Sequence, residues 1–95
     1  MADRDTRLRA NQRTFRAANE RINDLAQVTD GQLVPFLCEC AEIACLGRID
    51  ASLSEFVVIH EDRTRYFILP GHFRVNGEEI VTTNDRYEIV EKHAA

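Results

Sequence analysis

Three thiols stand within eight residues of one another: Cys38-Glu39-Cys40, four further residues, then Cys45. Thiolates are soft ligands, and zinc takes four soft or borderline ligands in a tetrahedron, with Zn–S near ~2.3 Å and Zn–N near ~2.0–2.1 Å. Three thiolates from one short loop would fill three corners and leave the fourth to an imidazole from elsewhere in the chain. Three histidines compete for that place. His60 falls on the apolar stripe of a short helix and would face inward, where an imidazole is more often satisfied in the core than a ligand. His72 follows Pro70-Gly71, a sharp turn able to deliver a ring to a loop, and His93 sits in the C-terminal tail, a poor position. The residue pattern leaves His60 and His72 level. Spacing alone also leaves open plain burial of the thiols, because there is no second cysteine pair and Cys-x-Cys is rarer in zinc modules than Cys-x-x-Cys. An iron–sulfur cluster is a minor alternative for the same ligands.

The rest of the chain must position that loop. With 95 residues, 44% of them hydrophobic and 29% charged, and only four Gly and two Pro, the sequence is that of one ordinary globular domain. Disordered, collagen-like and low-complexity chains are excluded. A domain of this length buries only ~60–70% of the surface that its unfolded chain exposes. Its core is therefore thin, and a structural metal, whose binding supplies an apparent ~10–16 kcal/mol in zinc-finger peptides, would strengthen it. The formal charge is −4. Most of the excess acid lies beyond residue 30, whereas residues 1–30 are slightly basic. The N-terminal Met-Ala-Asp-Arg-Asp has no apolar run of the secretory kind, and no stretch approaches the ~20 apolar residues of a membrane span. A cytoplasmic protein with reduced thiols is the expectation, which favours metal ligation over a disulfide framework.

Residues 4–28 lack Gly and Pro. Leu8, Asn11, Phe15, Ala18, Ile22 and Leu25 recur at spacings of three and four, which predicts a long first helix with a seam on that face. The seam would pack on its own domain or on a second copy of the chain, and it is the candidate interaction surface. Thr29-Asp30-Gly31 stops the helix. Leu33–Leu37 and Leu46–Asp50 read as short strands on either side of the cysteine loop. Ser52-Leu53-Ser54-Glu55 has capping-box spacing, which starts a second helix at Leu53 with Leu53, Phe56, Val57 and His60 inward. Tyr66–Leu69, Ile80–Thr82 and Arg86–Val90 are further strands, with turn dipeptides at Asn76-Gly77 and Asn84-Asp85. The fold class is α+β, a single domain over 1–95 made of an N-terminal helix (1–30) and a small metal-binding part (31–95) with a mainly antiparallel sheet.

Phe36-Leu37-Cys38-Glu39-Cys40, Cys45, Arg48-Ile49, Leu53, Glu55-Phe56, Arg65-Tyr66-Phe67, Pro70-Gly71-His72 and Asp85 through Lys92 stand in that order. The arrangement resembles a group of small actinobacterial proteins with a Phe-x-Cys-Glu-Cys loop, a later Cys, a Pro-Gly-His turn and an acidic-aromatic C-terminal strand. The resemblance covers most of the chain and implies no activity. It does imply a ligand set, Cys38, Cys40 and Cys45 with His72 as the fourth. Similar proteins place Gly and Pro between the second and third Cys, whereas this chain has Ala41-Glu42-Ile43-Ala44, which reads as a helical turn instead of an open knuckle.

Four protein ligands would leave no open position for water or substrate, so the expected role is non-enzymatic. The reading is a zinc-stabilised protein-interaction or regulatory module whose partner is another protein or, through the first helix, a second copy. Nucleic-acid binding through Arg7, Arg9, Arg13, Arg16 and Arg21 is an alternative, but these residues ring the helix instead of forming a stripe. A thiol/zinc redox sensor is a further alternative. No phosphate loop, serine elbow or zinc-protease helix is present. The adjacent acids Glu61-Asp62 and Glu78-Glu79 are expected to be solvated.

Overall fold

The computed structural model describes residues 4–29, 31–42, 44–72 and 77–92. Asp30, Ile43, Asn76 and His93, named in the sequence reading, lie outside them. The architecture is α+β: α1 (Arg4–Leu25), β1 (Val34–Leu37), β2 (Arg48–Ala51), α2 (Leu53–His60), β3 (Arg65–Ile68), β4 (Glu78–Thr83) and β5 (Glu88–Lys92). Among the described residues no helix is long and apolar enough to cross a membrane.

Where one small sheet was expected, there are two, both antiparallel: a β1–β2 pair and a three-stranded sheet in the order β3-β5-β4. In the pair, Val34 lies opposite Ala51 and Phe36 opposite Ile49, so the inward-facing residues of both strands meet. The cysteine loop is therefore the connection of a hairpin. In the second sheet, β4 carries a register shift between Ile80 and Thr82, and the turn into β5 is closed by Asn84, whose Oδ1 accepts from the N–H groups of Arg86 and Tyr87. Residues 66–68 of β3 are all buried. Tyr66 lies beneath the Arg16 guanidinium of α1, while Phe67 joins an aromatic cluster with Phe36, Phe56, His60 and Tyr87.

Helix α2 starts as the sequence predicts. Ser52 caps it, its hydroxyl accepting from Glu55 N–H while the Glu55 carboxylate accepts from Ser52 N–H. Its buried residues are Phe56, Ile59 and His60, with Leu53 packed partly against the core. Val57, expected inward, is 47% exposed. Ile59 takes the core position because it is three residues from Phe56 and therefore shares its face, whereas Val57 is rotated by ~100° from it.

Helix α1 departs further from expectation. Its buried residues are Leu8, Gln12, Arg16 and Asn19, three of them polar. The predicted seam is thus displaced around the helix. Phe15 and Ala18 are only partly buried and Leu25 is 67% exposed. Leu8 packs on Ala41, Asn11 donates to the Ala41 carbonyl, and Ile22 packs on the main core. These three seam residues are engaged within the chain and do not form a free interaction surface. The reason is physical: hydrophobic periodicity finds apolar faces, and this face docks by hydrogen bonds. Glu78 is a second correction, being buried rather than solvated, with its Oε2 accepting from Gln12 Nε2 at 2.9 Å.

Candidate metal centre

The hairpin brings both ends of the cysteine loop together. Cys38 directly follows β1, and its N–H donates to the carbonyl of Gly47, just before β2. Cys45 N–H donates to Glu42 O, closing a turn in the segment where a helical turn was one expectation, but Ala41 ahead of it has φ +74°. That left-handed backbone is one that residues with a Cβ rarely adopt. Gly47 completes the turn. A methyl group there would run into the Leu69 side chain, while its N–H donates to Cys45 Sγ at 3.4 Å.

His72 arrives from β3 through Pro70-Gly71. Gly71 has φ +78°, and His72 N–H donates to Leu69 O at 3.1 Å. The ring's Nδ1 stands 3.6 Å from Cys38 Sγ and 3.7 Å from Cys45 Sγ. One ligand atom from each of Cys38, Cys40, Cys45 and His72 lies within 4.8 Å of all the others. Cys38 and Cys40 are buried and none of the three cysteines is in a disulfide. Leu69 N–H donates to Cys38 Sγ at 3.2 Å, an amide dipole of the sign that supports a thiolate.

The thiols bias one another. A hydrogen bond shared between Cys38 and Cys40, with burial added, pushes Cys38 upward, and the same bond together with His72 pulls Cys40 downward. One sulfur therefore takes a first negative charge readily, and further ionisation is opposed by burial and by the neighbouring charge. A bound cation reverses that opposition, because coordination deprotonates thiols outright. The cluster can hold a metal ion.

His60 is elsewhere. Its Nδ1 lies 2.8 Å from Phe56 O and its Nε2 lies 2.8 Å from Glu39 Oε1. Both ring nitrogens face oxygen atoms. Glu39, the residue between the first two cysteines, is fully buried. Its carboxylate also accepts from Asn19 Nδ2 at 2.8 Å and from the Phe67 N–H at 3.0 Å. Successive side chains of extended backbone point to opposite sides, so Cys38 and Cys40 face the cluster while Glu39 faces the core. Sequence reasoning gave Glu39 no role. The available signal was a carboxylate between two residues whose side chains had to converge on one side.

Of the helix arginines, Arg16 is buried and donates to the carbonyls of Arg63 and Arg65, while Arg7, Arg13 and Arg21 are exposed. Two shallow grooves flank α2. One, about 420 Å³, runs between α1 and α2 past Glu20, Asn23 and His60; the other, about 370 Å³, runs between α2 and Tyr87.

Comparison with known proteins gives no match: no family model, no curated protein and no solved structure is similar to this chain. The functional reading accordingly rests on the geometry of the cluster.

Proposed function

We propose that Cys38, Cys40, Cys45 and His72 hold one zinc ion in a closed structural site, and that the protein acts without catalysis as a protein-interaction or regulatory module. The carrying observation is the convergence of three sulfurs and one imidazole nitrogen within 4.8 Å. A tetrahedral zinc with the bond lengths above would set sulfur and nitrogen roughly 3.6 Å apart. The Nδ1 of His72 lies 3.6 and 3.7 Å from two of the sulfurs. Three thiolates and an imidazole suit zinc by softness. A cluster of several irons fits less well, since the four ligands would be divided among two or more irons and would spread. With four protein ligands no coordination position is left for water, and the metal's contribution is to tie the hairpin loop to the turn after β3.

The test is elemental analysis of the purified protein, repeated after a chelator is added while circular dichroism is recorded. About one zinc per chain is expected, with structure lost as it is withdrawn. No metal and an unchanged spectrum would overturn the reading and turn attention to the reactivity of the thiols. His72→Ala should abolish tight zinc retention, whereas His60→Ala should keep zinc at one per chain and lower the melting temperature. The reverse pattern would move the fourth ligand to His60.

A further inference from the structure

We propose that docking of helix α1 is controlled by occupation of the four-residue metal centre: the metal-free chain releases α1 while α2 and the three-stranded sheet stay folded. The proposal rests on the metal reading above and concerns what the metal regulates.

The residues that α1 grips are interleaved with the ligands. Asn11 Nδ2 donates to Ala41 O at 3.0 Å and Gln12 Nε2 to Glu39 O at 3.4 Å. Asn19 Nδ2 donates to Leu37 O at 2.9 Å and to the Glu39 carboxylate at 2.8 Å, and Asn19 Oδ1 accepts from Leu37 N–H at 2.8 Å. Every one of these bonds goes to residue 37, 39 or 41, and the ligands between them are Cys38 and Cys40. An ion that fixes residues 38 and 40 on one side of this strand of backbone thereby fixes 37, 39 and 41 on the other, facing α1.

Leu8 has one buried apolar partner, Ala41, in a small cluster separate from the main core. Ala41 is the residue at φ +74°, a conformation that persists where its surroundings impose it. Its neighbour Cys40 is a ligand, so loss of the ion frees the strained backbone to relax away from Leu8 and Asn11. Contacts that bypass the loop include Gln12 with Glu78, Arg16 with the carbonyls of Arg63 and Arg65 and with the Tyr66 ring, Glu20 with Arg63, and Ile22 packed on the core. A helix with so polar a docked face draws little hydrophobic stabilisation from what remains. Phe56, Phe67, Tyr87 and Val90 keep ring and apolar contacts with one another in a core that Cys38 and Cys40 also border.

Linkage makes the coupling reciprocal. If zinc favours the docked helix by some factor, loosening the helix must weaken zinc by the same factor. Two measurements test this on the full chain. In hydrogen exchange, withdrawing zinc should speed exchange of α1 amides at least ~10-fold more than that of β3 and β5 amides. In competition with a chelator, Asn19→Ala should bind zinc ~5–150-fold more weakly at unchanged stoichiometry, the range usual for coupled sites. The milder Asn11→Ala, which removes one partly buried bond, should weaken zinc by a smaller factor in the same direction. Equal loss of protection in α1 and the sheet, unaltered α1 exchange, or wild-type zinc affinity in both variants would each overturn the proposal. A wild-type chain that takes up no zinc fails the metal reading itself, and that is seen before any variant is made.

Discussion

Helix α2 is attached through rings, with Phe56 stacked on Phe36 at 4.7 Å and on His60 at 4.2 Å and Phe67 set edge-on to His60. Helix α1 is longer, yet it buries Gln12, Arg16 and Asn19 and reaches the hairpin loop mainly by amide and carbonyl bonds. Apolar contacts are undirected and tolerate a shift of a few tenths of an ångström, while the bonds of α1 require three consecutive odd-numbered backbone positions to be in place. The difference separates a helix that belongs to the core from one that reads the geometry of a loop.

The largest effect should come from the ring side. Phe56→Ala removes the centre of the aromatic stack and should cost ~3–5 kcal/mol, the usual range for a buried Phe. Unfolding in urea should stay cooperative, since the stack joins α2 to both sheets. A loss below ~1 kcal/mol would show that α2 is not the anchor this contrast makes it.

Glu39→Gln breaks the polar side. The carboxylate accepts from Asn19, His60 and Phe67 N–H, and a glutamine presents an oxygen to one side and an amino group to the other. Either orientation sets the amino group against a donor in a fully buried site. A loss of ~1–3 kcal/mol is expected for the buried donor left without an acceptor. The fingerprint is regional: NMR shifts of Asn19 and His60 should move, while those of β4 stay in place.

A pH titration separates the two helices again. Glu55, at the start of α2, accepts from Arg86 Nη1 and Nη2, from Ser52 N–H and from the Tyr87 hydroxyl. The Arg86 hydrogen bonds chiefly hold its carboxyl down, to about 2 from an ordinary 4.5. A lowered carboxylate contributes stability that is fully present above the unfolded value and lost as pH falls through the folded one. Stability should therefore decline between pH 4.5 and about 2, and Glu55→Gln should remove part of that slope. An unchanged slope would assign acid sensitivity to other carboxylates. The side chain is partly exposed, so solvent screening keeps the effect below that of the two substitutions above.

The same contrast explains what the sequence made legible. The capping box at Ser52 and Glu55 and the Phe56 stripe of α2 are local signals, and the α+β class follows from them and from the strand patterns. The convergence of Cys38, Cys40 and Cys45 was legible from their closeness along the chain. The partnership with His72 was not legible in the residue pattern, because nothing in the spacing ranks His72 above His60. The buried face of α1 was illegible for a different reason. Gln12, Arg16 and Asn19 satisfy backbone groups brought to them by tertiary structure, and no hydropathy pattern encodes a carbonyl 18 or 27 residues away. Glu78 and Glu39 are hidden from pattern reading for the same cause.

The smallest effect probes the apolar contact of Leu8 with Ala41, between α1 and the loop. Ala41→Gly relieves a left-handed backbone that costs an L-residue ~1–2 kcal/mol. It also gives up a buried methyl group worth ~0.8 kcal/mol and adds unfolded-chain freedom of ~0.5–1 kcal/mol. These nearly cancel, so the substitution alone should change stability by less than ~0.5 kcal/mol. The cycle with Leu8→Ala resolves them. Once the leucine side chain is gone, the methyl of Ala41 has lost its buried apolar partner in that cluster. The glycine should then become stabilising, with a coupling of ~0.5–1 kcal/mol between the two sites. A glycine that destabilises equally in both backgrounds would mean that Leu8 does not sense the loop, leaving the polar bonds alone to join the first half of α1 to the metal centre.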